Sequence, residues 1–276
     1  MSIRFYTHFH KDFPFNFESS WVKACYAGGT GAYEWHPPSE KGPFINVTVD
    51  SEILKYKHYY SKATEEEFLR AIGQQVTDSY VANLSFEMPQ YVGVGSYRRY
   101  LYILDAENNP HEKVVMPANE ESVKYLTSDE QKEAALKLLE TSDVIINRAR
   151  TINISIEEQY LQSQPPEYWN LFKQAIVQVN PLYEKHMSWF TTPGHNTISY
   201  EGVYIMRKDL YQNLVREYFQ IMEYIWYHCS KVYPTIQTTS EPLPWRYPGF
   251  LNERFVPFFI FANSLQKTEV PLVFLG

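Results

Sequence analysis

The sequence predicts an α/β protein with a mixed central sheet flanked by helices, and three kinds of observation predict it. A period-2 strand pattern stands near the start, "SIRFYTHFH"; apolar runs of strand length such as "GPFINVTVD" and "YVGVGS" recur along the chain; segments of helical period fall between them. At 276 residues the chain is long enough to bury a substantial core. No repeat, low-complexity tract or linker divides it, so a single domain over 1–276 is expected.

In the first element Ile3, Phe5 and Thr7 alternate with Arg4, Tyr6 and His8, a strand that ends in the loop "HKDFPFNF". Residues 18–27, "ESSWVKACYA", read as a short helix stopped by Gly28 and Gly29. A strand is expected at 42–50, where Ile45, Val47 and Val49 alternate. From Thr64 to about Leu84 the period turns helical: Glu65, Glu66 and Glu67 gather where the helix dipole favours acids, and Phe68, Ile72 and Val76 recur at four-residue intervals. The run "YVGVGSYRRYLYIL" reads as the next strand. Its glycines suit close approach by neighbouring chain, and its adjacent Arg98 and Arg99 point to opposite faces if the strand continues.

Ser128 begins S-x-x-Q ahead of "EAALKLLE", a capped helix start, and "SDVIINRAR" follows as a strand. Pro165 and Pro166 open the helix "PPEYWNLFKQAIVQV". "TISYEGVYIM" reads as a strand with a glycine inside it. It feeds a long helix whose Leu210, Leu214, Tyr218, Met222 and Trp226 form a core stripe. "PTIQTTSEPLPWRYPG" is loop, and "FLNERFVPFFIFAN" begins a last helix with Pro257 as a point of kinking.

Composition removes several function classes. A net charge of -7 argues against a nucleic-acid partner held by general basicity. Cys25 and Cys229 are the only cysteines, too few for a disulfide framework or a Cys-rich zinc site. The N-terminus lacks a signal pattern, and no run approaches the roughly 18 apolar residues of a membrane span, so a soluble, cytoplasmic protein with no transmembrane segment is expected. P-loop, dinucleotide-fingerprint, esterase-elbow and zincin motifs are all missing from the sequence. The 23 Tyr and 17 Phe offer flat rings with polar tips that suit sugars, bases and protein interfaces alike.

Four groups of residues remain as candidates. Arg98 and Arg99 either stack on Tyr97 and Tyr100 and pair with surface acids, or form an anion site at a strand's carboxyl end that neutralises a diphosphate without metal. His8, His10 and Lys11 end the first strand, where nucleotides meet α/β sheets. Asp105 and Glu107 match a D-x-E that can hold Mg²⁺ or Mn²⁺ against a diphosphate, although turn chemistry explains them better. Glu253, set among apolar residues, suits a general base, with an ion pair to Arg254 or Arg246 as the alternative.

Five blocks in order, "THFHKDF", "YVGVGSYRRYL", "SDVIINRARTINISIEEQY", "YEGVYIMRKDLYQNLVREYFQIM" and "RYPGFLNERF", resemble a family of capsular and exopolysaccharide biosynthesis glycosyltransferases that includes bacterial galactofuranosyltransferases. The resemblance implies a GT-A-like nucleotide-sugar-binding fold. It implies His10 and Lys11 at the border of the donor site, Arg98 and Arg99 near the diphosphate, Tyr204 to Met206 along the cavity, and Glu253 as catalytic base beside Arg254 and Arg246. The chain carries Ser96 where the family has a histidine before its Tyr-Arg-Arg. The expected function is transfer of a sugar from a nucleoside diphosphate donor, a UDP-sugar first, to a hydroxyl of a glycan acceptor with inversion. The arginines favour a site that works without metal, with Mn²⁺ or Mg²⁺ as the alternative cofactor. The rival readings are a non-catalytic carbohydrate-binding protein and a sugar-phosphate transferase.

Overall fold

The computed structural model describes residues 1–9, 15, 17, 19–27, 45–47, 82, 89–96, 98–104, 106–192, 197–199, 201–232 and 247–276. β1 (Ile3–Phe9) lies inside the central sheet, with β2 (Val22–Ala27) parallel on one side and β3 (Ile45–Val47) parallel beyond it. β4 (Tyr91–Ser96) runs parallel to β1 on the other side, and β5 (Arg99–Leu101) turns back antiparallel from it. β6 (Lys113–Met116) is followed by the helices α1 (Glu120–Leu126) and α2 (Asp129–Leu138). Then come β7 (Val144–Asn147), β8 (Arg150–Thr151), α3 (Ile156–Leu161), α4 (Pro166–Val179) and a 3-10 stretch at Pro181–Phe190. β9 (Thr197–Ile198), β10 (Tyr204–Arg207), the long α5 (Lys208–Val232) and α6 (Tyr247–Ala262) precede β11 (Lys267–Val270) and β12 (Leu272–Leu275).

The main path of the sheet is β11-β7-β10-β4-β1-β2-β3, and β10 is antiparallel to both its neighbours, so the sheet is mixed as expected. β12 adds a smaller wing, antiparallel to β5 and parallel to β6. Because side chains alternate along strands, the sheet has two distinct apolar faces. Phe5, Tyr91, Ile145 and Ile205 pack with α1, α2 and the β12 wing. Tyr6, Val94, Ile146 and Tyr204 pack with α4, α5 and α6.

Gly93 and Gly95 are required by the first of these faces. A Cβ on Gly93 would lie 2.3 Å from Phe5 Cδ2, and one on Gly95 would lie 2.8 Å from Phe5 Cζ and 2.9 Å from the Arg99 carbonyl oxygen. The Phe5 ring crosses β4 where side chains would otherwise stand, the close approach that the glycines predicted.

Ser128 caps α2 by accepting from the Gln131 amide, but the Gln131 side chain does not complete a capping box; its Oε1 accepts from the amides of Ile103 and Leu104. A full capping box forms instead at α3, between Ser155 and Glu158, and it holds the Glu158 carboxyl below its ordinary value. A cap of this kind contributes about 1 kcal/mol.

Several elements differ from the sequence-based expectation. Of the helix expected over 18–27, the part from Val22 to Ala27 is a strand: Val22 and Ala24 face one apolar cluster and Cys25 the other, so β2 is buried on both faces and its apolar residues do not alternate. "YVGVGSYRRYLYIL" is a hairpin, with Arg98 in the turn between β4 and β5. "TISYEGVYIM" is two short strands separated by Glu201 at φ 88 and Gly202 at φ 59. The strand at "SDVIINRAR" divides into β7 and β8. The expected helix at 64–84 lies outside the described residues except for Ala82, which is helical. No described helix is long and apolar enough to cross a membrane.

Candidate active site

The carboxyl ends of β1 and β4 meet where His8 pairs in register with Ser96. Ser96 in turn pairs across the hairpin with Arg99. Residues directly opposite one another project to the same face, so His8, Ser96 and Arg99 share a side of the sheet. It is the side on which Tyr6, Val94 and Tyr204 pack with α4 to α6.

β10 enters from this same end, because it is antiparallel and its first residue, Tyr204, pairs with Val94. The residues just before β10 therefore lie beyond the carboxyl ends of β4 and β7. There the Glu201 carboxylate accepts Arg99 Nε at 2.8 Å and stands 3.7 Å from an Arg150 terminal nitrogen. Arg150 is held by pairing of β8 with β9, opposite Ile198. Two guanidinium groups thus converge on one carboxylate, leaving an excess of positive charge.

Glu201 holds a left-handed backbone conformation, which costs a non-glycine residue about 1–3 kcal/mol and persists where the surroundings enforce it. The ion pair that results is partly solvated, with Arg99 at 35% and Glu201 at 19% side-chain exposure. Such pairs contribute only about 0–1 kcal/mol, so a stronger anion can displace the carboxylate at little cost. A phosphate that accepts charge-assisted hydrogen bonds from both guanidinium groups is an anion of that kind.

Arg98 has different surroundings. It donates from Nε to the Leu275 carbonyl at 3.0 Å, and its guanidinium lies 4.7 Å from the centre of the Phe274 ring, where Lys113 Nζ also lies at 4.2 Å. The strand does not continue through the two arginines, as opposite directions would require; a turn gives them different partners instead.

Glu253 and Arg254 lie in α6. Arg254 is 3% exposed and is surrounded by acceptors: the Phe250 carbonyl at 2.8 Å, Glu253 Oε2 at 3.2 Å and Gln159 Oε1. Its guanidinium also lies 5.5 Å from the centre of the Tyr160 ring, whose hydroxyl burial pushes up and keeps neutral. Arg254 thus fixes α6 against α3, while Glu253, at 24% side-chain exposure, keeps access to solvent. Tyr204 and Met206 are both buried in the apolar cluster with α4 to α6, and Met206 lies two residues deeper along β10 than Tyr204.

His10, Lys11, Arg246 and Asp105 lie outside the described residues. Glu107 is exposed in a single 3-10 turn at Ala106–Asn108, in agreement with ordinary turn chemistry. Arg148 secures that turn by donating to the carbonyls of Ala106, Asn109 and His111. Among the described residues, no group of three or more His, Cys, Asp or Glu is placed to hold a metal ion. Arg150 and Glu201 are the residues that sequence reasoning missed; the Glu-Gly pair ahead of an apolar run was the available sign of a turn there.

A mixed sheet flanked by helices is an architecture this chain shares with a solved glycosyltransferase structure. A solved structure of a WbbM bifunctional glycosyltransferase in its apo form superposes with a TM-score of 0.72 at 16% identity, covering 100% of this chain and 46% of that one. The chain therefore spans about half the length of that neighbour. The chain belongs to the family described as "Domain of unknown function (DUF4422)", whose model matches residues 75–264. That stretch contains Arg98, Arg99, Arg150, Glu201 and Glu253 and excludes β1, β11 and β12. No curated protein matches the chain.

Proposed function

We propose that the protein is a glycosyltransferase, a single catalytic domain that moves a sugar from a nucleoside diphosphate donor, a UDP-sugar first, to a hydroxyl of a glycan acceptor in surface polysaccharide or glycoconjugate synthesis. The observation that carries this reading is the convergence of Arg99 and Arg150 on Glu201 at the carboxyl end of the sheet, in a fold shared with a glycosyltransferase.

In this reading the donor diphosphate displaces the Glu201 carboxylate and accepts hydrogen bonds from Arg99 and Arg150. Glu253 takes the proton of the acceptor hydroxyl as that oxygen attacks the anomeric carbon. The bond to the diphosphate breaks on the opposite side, giving inversion, and the two guanidinium groups stabilise the charge that grows on the leaving oxygen. Arg98 braces the hairpin that carries Arg99. His8, with His10 and Lys11 beyond it, borders the nucleotide, Tyr204 backs the donor cavity with Met206 beneath it, and Arg254 with Arg246 sets the charge around Glu253. The arginines supply the positive charge that a metal ion provides elsewhere, so the reaction proceeds without one.

Calorimetry with UDP, GDP and CDP, each with and without Mn²⁺, tests the reading. It predicts selective binding of one nucleoside diphosphate, UDP first, with the same affinity when Mn²⁺ is present. Failure to bind any of the three contradicts it.

A further inference from the structure

Next to the guanidinium cluster lies a cleft of about 490 Å³, inside the range of roughly 300–1,000 Å³ typical of small-molecule sites. Ile146 of β7 lies on the sheet side of the cleft; Pro257 and Phe261 of α6 line it opposite, with Trp189 of the 3-10 stretch beside them. Ser199 and Lys267 supply polar groups.

Phe261 is 41% exposed, unusual for a ring of that size in this core, and it stacks on Trp189 with centroids 5.9 Å apart and planes 22° from parallel. Trp189, itself buried, backs the Phe261 ring, which forms a flat apolar platform that reaches solvent at the cleft. Lys267 is paired with Glu269 at 2.5 Å, so a donor and an acceptor stand together at the sheet edge. The cleft also adjoins the charged cluster: the lining residue Ala149 precedes Arg150, and Ser199 lies two residues before Glu201. Glu253 is four residues before Pro257 and so lies on the same side of α6, one turn further along.

We propose that this cleft binds a saccharide ring, and that the ring is a sugar of the glycan acceptor. A sugar ring has an apolar C–H face to lie on the Phe261 platform and a rim of hydroxyls for Ser199, Lys267 and Glu269. An acyl chain matches the platform but makes no use of these polar groups, and a nucleotide's phosphates belong with the guanidinium groups. Placed here, the acceptor runs along α6 from Phe261 towards Glu253, two turns or about 12 Å away, with the donor's diphosphate site beside that end. The role as acceptor rests on the glycosyltransferase reading; saccharide binding in the cleft does not.

Saturation-transfer NMR with methyl α- and β-glycosides of glucose, galactose, rhamnose and N-acetylglucosamine, on wild type and on Phe261→Ala, tests the proposal. UDP calorimetry and thermal melting are run on the same samples, and Phe261→Leu controls for loss of the flat ring with apolar bulk retained. The expected result is ring-proton signals from at least one glycoside in wild type. They fall about fivefold in Phe261→Ala, the size of one aromatic contact, and fall also in Phe261→Leu, while UDP affinity and melting temperature hold. No glycoside signal in wild type, or equal signals in all three proteins, overturns it. Glycoside binding through Phe261 without nucleotide binding leaves the saccharide cleft standing and removes the transferase reading; nucleotide binding without glycoside binding does the reverse.

Discussion

The two faces of the central sheet are made by the same strands but end differently. On one, Phe5, Tyr91, Ile145 and Ile205 pack with α1, α2 and the β12 wing, which Arg98 ties to the hairpin by lying on Phe274 and donating to the Leu275 carbonyl. On the other, Tyr6, Val94, Ile146 and Tyr204 pack with α4 to α6, and its carboxyl end opens into Arg99, Arg150 and Glu201. Neighbouring arginines thus acquire separate partners because one turn divides them. In the proposed reading, the arginine that donates to a carbonyl and lies on an aromatic ring serves the fold, and the one held by an ion pair serves the ligand.

The largest effect expected on the open face is at Glu253. Glu253→Gln removes the base and should reduce transfer by roughly 10²–10⁴-fold with UDP affinity unchanged, as read by product mass and calorimetry. Loss of UDP binding with the residual chemistry intact would transfer Glu253 from the proton step to the donor site. Arg150→Ala should weaken UDP about tenfold or more, the contribution of a charge-assisted hydrogen bond, with little change in denaturant midpoint.

The glycines sharpen the comparison. Gly93→Ala places a methyl group against Phe5 and should destabilise the fold by about 1–3 kcal/mol, with UDP affinity retained in the folded fraction. Gly95→Ala also meets the Arg99 carbonyl oxygen, so it should lose UDP affinity as well as stability. Equal ligand effects from the two substitutions would mean that the hairpin does not set the position of Arg99.

The smallest effect belongs to Glu217 of α5, far from the charged end in role as well as in partners. Burial pushes its carboxyl above the ordinary value of 4.5, although the Tyr183 hydroxyl donates to it at 2.7 Å. A raised acid favours its protonated form in the fold, so its contribution to stability is full below pH 4.5 and is lost as pH rises through the raised value. Glu217→Gln should therefore melt slightly higher than wild type at pH 7, with the difference vanishing near pH 4, and should bind UDP normally.

Much of this arrangement was legible in the chain. Period-2 alternation located β1, apolar runs located β4 and β7, and helical stripes located α4 and α5. β2 was misread because a strand buried on both faces loses alternation and looks like a short helix. β11 and β12 were missed because "KTEV" and "LVFL" are short and depend on distant partners, β7 for one and β5 and β6 for the other. The site was half legible. Arg99 and Glu253 carried local signals, whereas the Arg99, Glu201 and Arg150 cluster joins β5, the turn before β10 and β8, and exists only once β8 pairs with β9 and β10 enters the sheet. The Phe261 and Trp189 platform is likewise a product of packing between α6 and the 3-10 stretch, with no pattern in the sequence to announce it.

The most direct test is a crossed measurement on two adjacent residues: UDP calorimetry and thermal melting of Arg98→Ala and Arg99→Ala against wild type. Arg99→Ala should lose UDP binding and keep its melting temperature, and Arg98→Ala should melt lower and keep its UDP affinity. Loss of UDP binding in Arg98→Ala with Arg99→Ala unaffected, or equal behaviour of the two, would contradict the division between the two arginines and remove Arg99 from the donor site.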